Sequence, residues 1–273
     1  MSRPAIRQLW SNRLRPFLGR AKYLCGIPFR KLQDLTTYPV SWLMGGPTPA
    51  IARLHRLYEL TPERVLAGYV QGVFPTGEPG GRVVWHCPAE RAVIATGQVH
   101  VSRRLKGYLN KQRFDIEFDR RFSEVIQSCA DRQKTWITDD IAHVYQSLHE
   151  RGFAHSVEAL LDGQLAGGGY GVALGNVFFL ESMFCREDHA SKIAFVHLAE
   201  RLQECGFRFI DCQFMTGHWE RFGARPVPRN DFQVIVAGSL NRPACFSPLS
   251  TGGNGLGVAG MLPSWEPAAS CTS

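Results

Sequence analysis

The chain has no C-x-x-C pair, although its 273 residues include eight cysteines, at positions 25, 87, 129, 185, 205, 212, 245 and 271. Without ligand pairs at short spacing, a structural zinc knuckle has no support. There is also no run of 18 apolar residues, which excludes a membrane-spanning helix. Nothing resembles a secretory leader, so the thiols are expected to be reduced in a reducing compartment. A nucleotide-binding G-x-x-x-x-G-K-[ST] loop is missing: the glycine-rich stretch 163–175 alternates like strands instead. Ser156 and Ser182 stand outside any nucleophile-elbow context, and His155 and His218 lack metal-ligand spacing.

What is present is a globular balance, 44% apolar and 20% charged, enough for a sizeable core. The net charge of +7 is unevenly placed. Residues 1–45 hold eight basic side chains and one acid, Asp34, whereas the remainder carries 23 of each sign. Three readings of this arm stay open: a phosphate-tracking arm, an amphipathic surface or transit segment, and a solvated extension. Pro16, Pro28 and Pro39 argue against one long helix. From Asn241 onward Gly, Pro and Ser dominate, which reads as a flexible tail. The expected organisation is a basic arm (1–49), a small domain (50–115), a larger domain (116–238) and the tail (239–273).

Local signals divide the folded part. Thr61 is an N-cap with Pro62 at the first helical position, opening a helix that stops near Gly72. A Gly/Pro-rich loop is expected over 75–81. Short strands are expected at 83–85, 91–95 and 114–118, with helices at 102–113, 122–130 and 139–152. Residues 154–184 read as strands turning at Asp162-Gly163 and Gly175-Asn176. A helix over 190–206 shows one apolar stripe (Phe195, Leu198, Ala199, Leu202), and a strand over 207–214 follows directly. Antiparallel strands, a helix and a further strand make an α+β fold with a mixed sheet.

On that last strand Asp211 and Gln213 are two apart and share a face, with Ile210, Cys212 and Phe214 opposite. An acid and an amide on an otherwise apolar strand are costly unless bonded or functional, so both a structural pair and a site remain open. Glu181, at the end of the apolar run Val177–Leu180, presents the same choice. Arg103, Arg104, Lys106, Lys111 and Arg113 form a second basic cluster around Tyr108, suited to phosphates or merely solvated. Trp85 and Trp136 are either core or base-stacking residues.

The ordered series Leu60-Thr61-Pro62, Gly72-Val73-Phe74-Pro75, Thr135-Trp136-Ile137, Ala154-His155-Ser156-Val157-Glu158, Glu181-Ser182-Met183-Phe184, Ile210-Asp211-Cys212-Gln213 and Phe222-Gly223-Ala224 resembles the leucyl/phenylalanyl-tRNA–protein transferases. The likeness runs from Leu60 to about Phe232. It implies a GNAT-like (acyl-CoA N-acyltransferase-like) C-terminal domain behind a small N-terminal α/β domain. It also implies transfer of Leu or Phe, occasionally Met, from aminoacyl-tRNA to the N-terminal Arg or Lys of a protein, marking that protein for N-degron degradation. By the same resemblance the enzyme is a cytoplasmic monomer, with no metal, no nucleotide cofactor and no membrane partner. Gln213, Asp211 and Glu181 match the catalytic positions. Phe178, Leu198 and Ile210 match the amino-acid pocket, Trp136 and Trp85 the region of the terminal adenosine, and Arg103 and Lys106 the acceptor-stem patch.

The chain departs from the family pattern at several of these places. Thr76 and His86 stand where tryptophans are common, Gly169 where a larger pocket residue is usual, Leu180 where Gly is usual, and Cys185 where Ser is usual. Gly107 and Asn110 replace basic residues. A missing stacking platform and a deeper or looser amino-acid pocket are therefore expected. Two rivals remain: a GNAT-like acyltransferase with another donor, and a tRNA-binding protein without catalysis.

Overall fold

The computed structural model describes residues 60–78 and 80–247, together with the backbone of two short paired strands, β1 (Tyr23–Leu24) and β2 (Ile27–Pro28). The rest of the basic arm, and residues 248–273 of the expected tail, lie outside the described residues.

Thr61 caps α1 (Pro62–Val70) through its hydroxyl, which accepts the Arg64 N–H. The expected loop that follows is a strand. β3 (Phe74–Glu78) pairs antiparallel with β4 (Arg82–His86) in a two-stranded ribbon. Such a ribbon has only edges, which is where a strand proline such as Pro75 is tolerated. β5 (Glu90–Ala95) and a 3-10 turn (Thr96–Gln98) precede α2 (Arg103–Leu109). α2 is shorter than the basic stretch predicts and ends before Gln112, whose φ is +48°.

β6 (Asp115–Phe118), α3 (Phe122–Ala130) and α4 (Asp139–Glu150) follow the sequence signals closely. β7 (Ala154–Leu161), β8 (Gln164–Leu174) and β9 (Val177–Cys185) are the expected meander. The turn residues Asp162 and Gly163 have φ of +51° and +74°, as a tight hairpin requires. Then come α5 (Ala190–Glu204), β10 (Phe209–Asp211), α6 (Gly217–Arg221), β11 (Arg225–Pro228) and α7 (Arg229–Ser239). Pro226 and Pro228 sit on β11 because it is an edge strand.

Seven strands form one mixed sheet in the order β11-β5-β10-β9-β8-β7-β6. Only β9 and β10, joined through α5, pair in parallel; the other neighbours are antiparallel. The fold is therefore α+β. β5, from the region expected to be a separate small domain, lies inside this sheet between β10 and β11. One core packs α1, α3, α4 and α7 on one face through residues such as Val65, Val125, Tyr145 and Phe232. The other packs α5 and α2 on the opposite face, with Leu105, Phe195 and Leu202.

The segment after α7 is not all tail. Ala244 N–H bonds to Gly175 O at 2.8 Å. Phe246 is buried against Phe118, His155 and Phe178. One aromatic side chain carries enough apolar area to anchor a Pro/Ser-rich stretch that composition reads as loose.

Candidate active site

The parallel pairing of β9 with β10 stops at Phe179↔Asp211. Beyond it each strand leaves its regular path. On β9 the register with β8 slips, since Gly171 faces Leu180 and Tyr170 faces Ser182, leaving Glu181 as the extra residue of a bulge. On the β10 side Gln213 has φ +63°, an uncommon conformation for a side-chain-bearing residue. The expected alternation over 207–214 therefore breaks. Asp211 and Gln213 are not face-mates on a straight strand, and Phe214 turns to the β3–β4 ribbon. Its ring meets Phe74 and His86 edge-on at 5.5 and 6.0 Å.

The two irregularities face each other. Gln213 Nε2 donates to Glu181 Oε2 at 3.1 Å. Tyr69 from α1 donates to Glu181 Oε1 at 2.6 Å, and Tyr145 from α4 donates to Oε2 at 3.1 Å. The two hydroxyl oxygens also lie 2.6 Å apart; each carries one proton, so while both donate to the ionised carboxylate neither donates to the other. Burial pushes the Glu181 carboxyl up to about 7, with the two tyrosine hydroxyls pulling the other way. The carboxyl is thus poised between its two forms near neutral pH.

Asp211 is fully buried beside this cluster and serves a different purpose. Arg91 Nε donates to its Oδ1 at 3.1 Å, and Arg91 Nη2 to its Oδ2. Oδ1 also accepts the backbone N–H of Gln213 at 3.0 Å, while the Gln213 carbonyl accepts Ala92 N–H. Arg91 lies between the rings of Phe74 and Phe232, about 4.7 and 4.8 Å from their centroids, and donates Nη1 to Gly72 O. Both Asp211 oxygens thus have partners in the interior, and through Oδ1 the side chain fixes the backbone of Gln213. Burial pushes the Cys129 thiol up to about 12 and raises the Cys212 thiol as well, which favours their protonated forms.

The sequence-matched residues divide by location. Glu181, Gln213 and Asp211 come together. Phe178, Leu198 and Ile210 are fully buried in the α5-side core, across the sheet from the Glu181 carboxyl. Trp136 is half-buried before α4, and its carbonyl accepts Gly77 N–H. Trp85 packs under α1, so close that a Cβ on Gly68 would come within 2.4 Å of its ring. It is held as core. Arg103 and Lys106 are exposed on α2, and Arg113 of the same basic cluster is matched by Glu187 at 2.9 Å.

Three departures find local explanations. Thr76 Oγ1 and His86 Nε2 bond to each other at 2.8 Å, and His86 stacks on Phe74 at 5.3 Å. The ribbon therefore keeps an aromatic surface, completed by Phe214. The small Gly169 does not deepen a pocket. A Cβ there would lie 2.7 Å from Met183 Cγ and 2.8 Å from Ser182 O, so Met183 already fills the space.

Tyr69, Tyr145 and Arg91 were not singled out by sequence reasoning. All three fall within the span from Leu60 to Phe232 that resembles the family, without a role attached.

Two family models match this chain. One, described as leucyl/phenylalanyl-tRNA protein transferase, covers residues 93–237, and one described as its N-terminal domain covers residues 58–89. A leucyl/phenylalanyl-tRNA–protein transferase of Gloeobacter violaceus is 45% identical over 191 residues, 70% of this chain and 99% of that protein. One from Stutzerimonas stutzeri is 44% identical over 218 residues, 78% of this chain and 95% of that protein. Among solved structures, L-PGS of Bacillus licheniformis aligns with a TM-score of 0.35 at 9% identity, over 56% of this chain and 65% of that one.

Proposed function

This chain belongs to the leucyl/phenylalanyl-tRNA–protein transferase family, and we propose that the Glu181–Gln213 junction is where it joins an aminoacyl group to an acceptor amine. The protein is an aminoacyltransferase that moves an aminoacyl group from tRNA to protein. The finer reading is that Leu or Phe, and also Met, passes to an N-terminal Arg or Lys, feeding N-degron degradation. In the same reading the enzyme works as a cytoplasmic monomer without a metal. The sheet is read as GNAT-like, from its antiparallel strands followed by a helix and a strand parallel to its neighbour.

The observation that carries the site assignment is the Gln213 Nε2–Glu181 Oε2 bond, made where β9 and β10 part. With Nε2 committed to Glu181, the Gln213 amide has its oxygen available to accept from an incoming α-amine. A neutral amide is a poor base, so Gln213 orients. Glu181, poised near neutrality, takes the proton. The amine nitrogen attacks the ester carbonyl carbon, the bond from that carbon to the ribose oxygen breaks, and an amide forms. The proton shed by nitrogen passes through Glu181 to the departing ribose oxygen. The ester is already an activated acyl group, so the enzyme's contribution is position and one proton.

Asp211 and Arg91 hold Gln213 in place. The donor's apolar side chain enters the gap between β9 and β10 toward Phe178, Leu198 and Ile210, and Trp136 lies near the terminal adenosine. Arg103 and Lys106 meet phosphates of the acceptor stem. The test is transfer from leucyl-tRNA and from phenylalanyl-tRNA to peptides beginning with Arg or with Met, read by mass. Gain on the Arg peptide alone supports donor, acceptor and reaction together. No gain on either peptide overturns the reading.

A further inference from the structure

Arg132 lies in the segment between α3 and Trp136. Its Nη2 donates to Ser182 Oγ at 3.0 Å and to Met183 O at 2.6 Å. Those are the two residues after Glu181, so the guanidinium is anchored about 7 Å of strand from the bulge. The bulge is what makes this reach possible. Because Glu181 is the extra residue, the side chains of Glu181 and Ser182 both turn to the face that α3 and α4 cover.

Both anchoring bonds use one nitrogen, Nη2; the guanidinium also interacts with the Cys129 thiol of α3, and Arg132 itself is exposed. It forms no ion pair among the described residues, unlike Arg82, Arg113 and Arg151, each matched by a carboxylate. Lys134, two residues on, is exposed as well. A fixed, unmatched guanidinium fork beside a reaction centre fits a planar or tetrahedral oxyanion far better than it fits solvent. A donor that lays its ester at Glu181 and Gln213 brings one such group with it, the phosphate that precedes the terminal nucleoside.

We propose that Arg132 binds a backbone phosphate at the 3′ end of the donor RNA, with Ser182 and Met183 pre-orienting its side chain. This rests on the aminoacyl-transfer reading above. It adds a phosphate contact on the α3–α4 side of the site, separate from α2 with Arg103 and Lys106.

Two donors separate the possibilities: leucyl-tRNA, and leucyl-adenosine, which carries the same ester and no phosphate. In Arg132→Gln the loss of kcat/KM on leucyl-tRNA should exceed the loss on leucyl-adenosine by at least tenfold, mainly through KM. Arg132→Lys should recover part of it. The slope of log affinity for leucyl-tRNA against log salt should become shallower by about 0.7, the value for one single-strand phosphate contact. Equal losses on both donors would show that Arg132 only braces the end of β9, and would overturn the proposal. So would an unchanged salt slope. If the wild-type protein transfers from neither donor, the aminoacyl-transfer reading itself fails.

Discussion

The side-chain amide of Gln213 donates to Glu181 Oε2 at 3.1 Å, tying the end of β10 to the bulge of β9. Two strands that pair in parallel for three residues and then part are rejoined by this single side-chain bond. An amide can serve here only through geometry. Gln213→Ala should therefore lower kcat by about a hundredfold, the scale expected when a reacting group is misplaced by an ångström. The affinity for leucyl-tRNA should stay within about twofold. Parallel loss of transfer and binding would make Gln213 a structural residue.

Glu181 gives the reaction its pH dependence. With its carboxyl pushed up to about 7, the basic form accumulates as pH rises through neutrality, so kcat should climb along a limb centred there. Glu181→Gln should abolish that limb and lower kcat by about 10²–10⁴. Stability should run the opposite way. The folded carboxyl holds its proton more tightly than the unfolded one, whose ordinary value is 4.5. Between about 4.5 and 7 the folded state thus binds more protons, and stability falls as pH rises across that window before levelling off. Melting curves of Glu181→Gln should show a smaller drop in Tm from pH 5 to pH 8 than wild type. An equal drop would place the titration elsewhere.

Tyr69 and Tyr145 should tune that limb without supplying it. Both hydroxyls donate to the Glu181 carboxylate and hold its pKa below what burial alone would set. Tyr69→Phe or Tyr145→Phe should therefore move the rising limb to higher pH, with the plateau rate recovered at sufficiently alkaline pH. A uniformly lower rate with an unmoved limb would indicate a packing defect instead.

Much of this architecture could be read from sequence where the determining interactions are local. Thr61 caps its own helix, Asp162-Gly163 turns its own hairpin, and the stripe on α5 follows from helical spacing. The site is a different matter. Tyr69 and Glu181 are 112 residues apart and Arg91 and Asp211 are 120 apart, and no periodicity couples such pairs. The bulge at Glu181 depends on register against β8, and the turn at Gln213 depends on bonds to Asp211 and Ala92. Motif resemblance could identify Glu181, Asp211 and Gln213 as important. It could not reveal that Asp211 is paired with Arg91 in the interior.

Phe246 tests a segment that composition assigns to the tail. Its ring lies 4.4 Å from His155 and 5.9 Å from Phe118, in the α5-side core. Phe246→Ala should cost about 3–5 kcal/mol, the range for removing a buried phenylalanine. Urea unfolding would measure it, and a loss below about 1 kcal/mol would mean that the ring contributes little there.

The Arg91–Asp211 pair allows stability and positioning to be separated. Removing one charge strands the other in the interior, so Asp211→Asn should destabilise the fold by about 3–5 kcal/mol. Replacing both, with Arg91→Met and Asp211→Leu, removes the two charges together. Such exchanges are often neutral or stabilising by about 1–4 kcal/mol, so this variant should unfold at a urea concentration close to wild type. Its activity should not recover in step. The Gln213 N–H would lose the carboxylate that holds it at φ +63°, leaving the amide free to leave Glu181. A stable, inactive double variant that still binds leucyl-tRNA would establish that the buried pair positions Gln213. A stable and fully active one would show that Gln213 finds its place without it.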